Sequence, residues 1–257
     1  EIADRDWSSD VCSSDLAQKA VAQLPRWALV LLCLIYVIPG FIGRQPWKNA
    51  DMEAFGFMLA LARPDGGTVS WLRPMLAGQM EPSLSLLHTW LGAWFIRLAP
   101  AGWESAAARL PFMGMLILTL VSTWYGVYAL ARTRAAQPVA FAFGGEARPT
   151  DYARTLADGG LLALLGCLGL AQLSHEITPA LSQLCFTSLL FFGLTPSSRR
   201  RRWRHLCAAA LGLLGLTLSG APAMAALLGL GGLLVLALAP ADPDRHASSM
   251  LELGLLS

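Results

Sequence analysis

Residues 26–62 read RWALVLLCLIYVIPGFIGRQPWKNADMEAFGFMLALA, and their order decides the fold. From Arg26 to Gly43 the chain is one apolar run, close to the ~20 residues that a helix needs to cross a bilayer core of ~30 Å. A polar segment over 44–81 follows, and it carries its own helical pattern. Phe55, Met58, Leu59 and Ala62 recur at i, i+3, i+4 and i+7, the spacing of one helix face. A short amphipathic helix lying along a membrane surface is expected there, with Asn49 or Asp51 capping its start and Pro64-Asp65-Gly66-Gly67 turning the chain out of it.

The rest of the sequence repeats the first theme. Further apolar runs fall at 82–99, 109–131, 155–173, 177–195, 205–220 and 222–239. Trp27, Trp71, Trp103 and Trp203 sit at or near run ends, as interfacial anchors do. Only 14% of the 257 residues are charged, where a soluble domain carries about 25%. That deficit excludes a soluble single domain, a disordered chain and a disulfide scaffold. The expected fold class is all-α: a polytopic transmembrane helix bundle with an external juxtamembrane loop helix.

Residues 1–16 stand outside this pattern. Asp6 to Leu16 reads DWSSDVCSSDL, which resembles one reading frame of a sequencing adapter, and the segment is set aside as an artefact rather than part of the fold. It holds one of the 19 basic residues and five of the 17 acidic ones, so the remainder carries a net charge of +6. This excess suits a protein among anionic lipids. No basic stripe is interleaved with aromatics, so nucleic acid is not an expected partner. Cys33, Cys167, Cys185 and Cys207 lie in or beside apolar runs without metal-ligand spacing, and read as buried free thiols.

Basic residues set the orientation. Lys19 and Arg26 place the N-terminus inside. So do Arg132, Arg134, Arg148 and Arg154 for their loop, and Arg199 to Arg204 for theirs. Seven complete crossings would put both of these loops outside. One run between 82 and 131 is therefore expected to be short or half-crossing.

Asp51 and Glu53 follow the first run. At i, i+2 they do not share a helix face, so one can face a site while the other faces water; as plain helix-start acids they would serve the dipole. Glu81 precedes Pro82 at the next run. Arg109 sits in Ala107-Ala108-Arg109-Leu110-Pro111, where it either snorkels to the interface or holds a lipid phosphate. His175 and Glu176 divide two apolar runs, and ionisable residues at such places are candidates for function. Asp158 reads as interfacial. No Walker loop, GxSxG or HExxH is present, which removes the motif-level case for ATP, serine or zinc hydrolysis.

The order of these features resembles the N-terminal half of the GT-C membrane glycosyltransferases, in particular the lipid A aminoarabinose transferases and protein mannosyltransferases. Trp47-Lys48-Asn49-Ala50-Asp51-Met52-Glu53-Ala54 resembles their W-x-x-D-E-x-x-Y-A stretch. Met80-Glu81-Pro82 stands where they carry E-K-P-P. Ala107 to Pro111 matches A-x-R-L-P, and Gly212 to Pro222 after the basic run resembles G-L-x-x-L-T-K-G-P. The likeness covers about 20–240. It departs at two lysines, replaced by Glu81 and by Leu218 or Ser219, and at a D-P pair that is Thr178-Pro179 here, with Glu176 two residues earlier.

The resemblance implies a chain of three parts: residues 1–16, a transmembrane half over 17–240, and a tail over 241–257, together a fragment of a protein about twice as long. It implies transfer of a sugar from a polyprenyl-phosphate donor to a lipid A-like or protein acceptor, on the outer face of a bacterial inner membrane. By resemblance Asp51 is the catalytic carboxylate, with Glu53 and Glu176 as second candidates. Arg44, Lys48 and Arg73 are the cations left to replace the missing lysines at the donor phosphate, and Glu81, Arg109, His175 and Glu176 complete the candidate binding set. No cofactor is implied, though a divalent metal would be compatible. The competing class is a non-catalytic membrane protein or a transporter or flippase, which would place ionisable groups in mid-span beside broken helices.

Overall fold

The computed structural model describes residues 25–43, 45–46, 48–63, 71–80, 85–137, 148–195 and 202–238. The described chain is mostly helical. Helices α1 (Arg26–Phe41), α2 (Asn49–Ala62), α3 (Leu86–Leu98) and α4 (Glu104–Ala131) are followed by α5 (Pro149–Leu165), α6 (Leu168–Leu173), α7 (Pro179–Leu194), α8 (Arg202–Leu218) and α9 (Pro222–Leu238). Proline opens α5, α7 and α9, where its missing N–H costs nothing. Gly220, at φ 79°, closes α8. The Ala221 N–H reaches the Leu216 carbonyl at 3.0 Å and the Gly220 N–H that of Thr217 at 3.3 Å, the two bonds of a Schellman end. The chain then turns directly into α9.

The all-helical expectation misses a two-residue ribbon in the 44–81 segment. Strands β1 (Met75–Leu76) and β2 (Gln79–Met80) pair antiparallel. Ala77 and Gly78 between them have φ of 51° and 82°, the double positive φ of a type I′ turn. Strands of two residues are too short to show alternation in the sequence. The ribbon lies on α2, with Leu76 over Gly56.

The order of packing follows from the contacts. α4 and α7 run the same way: Thr119 lies beside Cys185, and Gly126 beside Phe191. α8 runs against them, with Gly215 at Phe186, Gly212 at Leu190 and Gly193 at Ala209. These three glycines let the backbones approach; a Cβ on Gly212 would stand 2.8 Å from the Leu190 backbone. α5 packs on α4, and its Asp158 meets Trp124. The chain then returns through α6 to a turn over 174–178 that reaches the C-terminal end of α1. One core holds α1, α2, α3, α4, α5 and α7 together, with Met58, Ile96, Phe112 and Leu116 at its centre.

α4 is 28 residues long, about 42 Å, and among the described residues it is the helix long and apolar enough to cross a membrane. α3 has 13 residues, roughly 20 Å, which is the short run expected between 82 and 131. It packs on α2, with Met58 against Gly92, and Arg97 donates to the Ala62 carbonyl at 3.2 Å. Arg63 pairs with Glu104 at 2.8 Å. α2, α3 and the start of α4 therefore gather at one end of the bundle. The ends that carry Arg26, Arg132, Arg134, Arg148, Arg154, Arg202 and Arg204 lie at the other.

Several expectations are corrected here. α2 is a helix, but it is not laid on a surface by Phe55 and Leu59. It buries Asp51, Ala54, Phe57, Met58, Leu61 and Ala62, because α3 and α4 cover that side. Neither Asn49 nor Asp51 caps it: Lys48 holds the cap position, and no side chain caps the first turn. The run 155–173 is two helices, broken at Gly166-Cys167. Asp158 is buried rather than interfacial. Of the four cysteines among the described residues, all free, Cys185 is buried and Cys167 is exposed.

Candidate functional site

Asp51 falls in the first turn of α2, on the face turned into the bundle, and is 1% exposed. Its two oxygens take different donors. Oδ2 faces Arg109 Nη2 at 3.2 Å, and Oδ1 accepts from the Ile177 N–H at 2.9 Å. Arg109 comes from the second turn of α4, three residues before the buried Phe112, and is 2% exposed. A guanidinium this deep is not snorkelling; its partner is the Asp51 carboxylate. Removing two charges from water is costly unless they meet each other and further hydrogen bonds, and the Ile177 N–H supplies one.

The turn over 174–178 gives the cluster its other half. Glu176, 2% exposed, pairs with Lys48. Lys48 immediately precedes α2, so one helix start sends an ammonium to Glu176 and a carboxylate to Arg109. Lys48 is the partly exposed member, with 28% of its side chain open, and it marks the open edge of the cluster. Residues from α2, α4 and one tight turn, far apart in sequence, thus form two adjacent ion pairs.

His175 lies behind the turn. Its Nε2 donates to the Tyr36 carbonyl at 2.9 Å, which leaves Nδ1 as an acceptor for the Ser174 hydroxyl at 3.1 Å. Tyr36 Oη in turn reaches Ser174 Oγ at 3.1 Å. The imidazole ring sits between Tyr36 and Phe41 of α1, with centroids 5.1 and 5.4 Å away.

The structure brings together Asp51, Lys48, Arg109 and Glu176 of the sequence-derived set, and places His175 behind their turn against α1. It separates others. Glu53 is exposed on α2, two residues and just over half a turn from Asp51, and Arg73 is exposed ahead of the ribbon. Neither points into the cluster. Arg44 and Glu81 lie outside the described residues. Tyr36, Ser174 and the Ile177 N–H were not singled out by sequence; a backbone donor has no sequence signal, and Tyr36 reads as one more apolar residue of its run. No group of three or more His, Cys, Asp or Glu gathers at metal-holding distance among the described residues.

An apolar cavity of about 280 Å³ opens along α1 and α4, lined by Leu29, Cys33, Val37, Leu120, Trp124 and Leu161 among others. None of the ion-pair residues lines this cavity. At its far side Trp124 Nε1 donates to Asp158 Oδ1 at 2.8 Å.

These features define a helical bundle with a charged cluster at one end and a separate apolar groove between α1, α4 and α5. No protein-family model matches the chain, and no curated protein or solved structure is significantly similar to it.

Proposed function

We propose that this chain is part of a multi-pass membrane glycosyltransferase of the GT-C kind, moving a sugar from a polyprenyl-phosphate donor to a lipid or protein acceptor on the outer face of a bacterial inner membrane. The observation that carries the reading is the meeting of Asp51, Arg109, Lys48 and Glu176 at the bundle end opposite Arg26, Arg132, Arg134, Arg148, Arg154, Arg202 and Arg204; at the cluster end Arg63, Arg97 and Arg109 are held by Glu104, the α2 carbonyls and Asp51. Arginines mark the inner side of a membrane protein, so the cluster faces outward, where a flipped donor waits. The apolar groove along α1 and α4 suits a lipid tail. A transporter would line a central cavity with ionisable groups, whereas this groove is walled by apolar side chains.

In this reading the acceptor hydroxyl attacks the anomeric carbon and Asp51 takes its proton. The bond from that carbon to the phosphate oxygen breaks, and the polyprenyl phosphate leaves with the electron pair. Arg109 and the Ile177 N–H hold the carboxylate in one orientation. Lys48, held at the open edge by Glu176, is the cation placed where negative charge develops on the departing phosphate.

Asp51→Asn tests the assignment. Asn keeps an oxygen for the Ile177 N–H but cannot take a proton, and general base catalysis contributes about 10²–10⁴-fold. Sugar transfer from polyprenyl phosphate, measured in membranes and normalised to folded protein, is expected to fall by that order. Turnover near that of the parent chain would remove Asp51 from the chemistry.

A further inference from the structure

We propose that His175 is a positioning residue that sets the turn over 174–178, and through it the orientation of Asp51 and Glu176, and that Gly40 exists to admit its ring. The inference deepens the glycosyltransfer reading and rests on it for the activity readout alone.

Asp51 and Glu176 depend on the same short turn. Ile177 supplies the N–H that holds Asp51 Oδ1 at 2.9 Å, and Glu176 is the residue before it. That turn needs an anchor, and His175 provides one to a different helix. Its Nε2–H ends on the Tyr36 carbonyl at 2.9 Å, and a carbonyl can only accept, so the tautomer is defined. In the neutral ring Nδ1 then accepts, from Ser174 Oγ at 3.1 Å. The Ser174 hydroxyl has spent its proton on that bond, so Tyr36 Oη donates to it at 3.1 Å. The chain of donors runs one way, from Tyr36 through Ser174 to His175 and back to the Tyr36 backbone. It closes a loop between α1 and the turn.

The ring fits because α1 has no side chain at position 40. A Cβ built on Gly40 would fall inside the imidazole, against Cδ2, Cγ and Nε2 alike. These are ring atoms locked by two hydrogen bonds and by Tyr36 and Phe41 on either side. They cannot swing aside as the end of a flexible chain would. Pro39 precedes Gly40 inside α1 and removes one backbone N–H from the helix. His175 itself reaches neither ion pair among the contacts of the described residues. It acts on them through the two residues that follow it.

The test uses the full-length protein in membranes and in detergent. His175→Gln keeps an N–H donor near the Nε2 position; His175→Ala removes it. His175→Ala is expected to lower kcat on the order of 10²-fold, the scale of a misplacement of about 1 Å at a reacting centre, with KM for the polyprenyl-phosphate sugar little changed. His175→Gln is expected to recover much of that loss. A second arm needs no substrate. Gly40→Ala is expected to lower the unfolding temperature by several degrees in the parent chain, and to have little effect in the His175→Ala background, where the ring it strikes is gone. Gly40→Ala tolerated beside His175, or equal losses in both backgrounds, would overturn the lock. An intact thermal cycle with equal kcat for His175→Ala and the parent would overturn the positioning role. If no polyprenyl-phosphate-dependent transfer occurs in the parent chain, the glycosyltransfer reading fails while the thermal cycle still decides the lock.

Discussion

At the scale of single residues the Asp51–Arg109 pair is the feature with the largest consequences. Asp51 read from sequence had two roles, a helix cap or a reacting carboxylate. The cap role is removed: its oxygens leave their own helix for Arg109 and for Ile177. Replacing Arg109 with Met leaves a buried carboxylate whose remaining hydrogen bond among the described residues is the Ile177 N–H. Breaking a buried pair on one side costs about 3–5 kcal/mol, while replacing both members with neutral residues is often close to neutral. Arg109→Met is therefore expected to lose stability on that scale in chemical unfolding of the detergent-solubilised protein, and Asp51→Asn with Arg109→Met to recover most of it. Two additive losses would mean that the residues are not coupled. Asp51, Arg109 and Glu176 were legible because a charge beside an apolar run is conspicuous. That Asp51 and Arg109 pair was not legible, since 58 residues separate them and nothing local reports the distance. Glu53 and Arg73 were equally conspicuous, and both are exposed.

At the scale of elements the glycines separate packing from propensity. Replacing Gly by Ala in a helix interior normally gains about 1 kcal/mol. Gly114 of α4 has open space around it, so Gly114→Ala is expected to show that gain. Gly126 of the same helix faces Phe191, and Gly92 of α3 faces Met58. Gly126→Ala and Gly92→Ala are expected to reverse the sign. Unfolding measured on the three variants checks this, and a gain at Gly92 or Gly126 would deny the close α2–α3 or α4–α7 approach. The helices were largely legible from apolar runs, because 3.6-residue periodicity and proline starts are local signals. The buried face of α2 was not. Its sequence offers apolar residues on two sides, and only the arrival of α3 and α4 selects the one with Ala54, Phe57 and Leu61. The ribbon over 75–80 was invisible because its turn, Ala77-Gly78, carries half of the usual Asn-Gly signal.

At the scale of the whole molecule the helix ends that carry Arg26, Arg132, Arg148 and Arg202 lie away from the Asp51 cluster. The sequence posed a conflict, since seven complete crossings cannot put every basic loop on one side. In the proposed membrane reading, the short α3 stays beside α2, so that α1 rises to the end that α4 leaves. Arg26, Arg132, Arg134, Arg148, Arg154, Arg202 and Arg204 then share one end, and the Asp51 cluster occupies the other, where Arg63, Arg97 and Arg109 are held by Glu104, the α2 carbonyls and Asp51. The central claim is that the cluster end faces out. It is tested most directly by placing single cysteines in a cysteine-free background at the exposed positions Met52 and Ala101 of the cluster end, and Ala135 and Thr150 of the arginine end. Spheroplasts are then treated with a membrane-impermeant maleimide before and after lysis. Cysteines at 52 and 101 are expected to label in intact spheroplasts, and those at 135 and 150 only after lysis. Labelling of all four in intact spheroplasts, or the reverse pattern, would contradict the account.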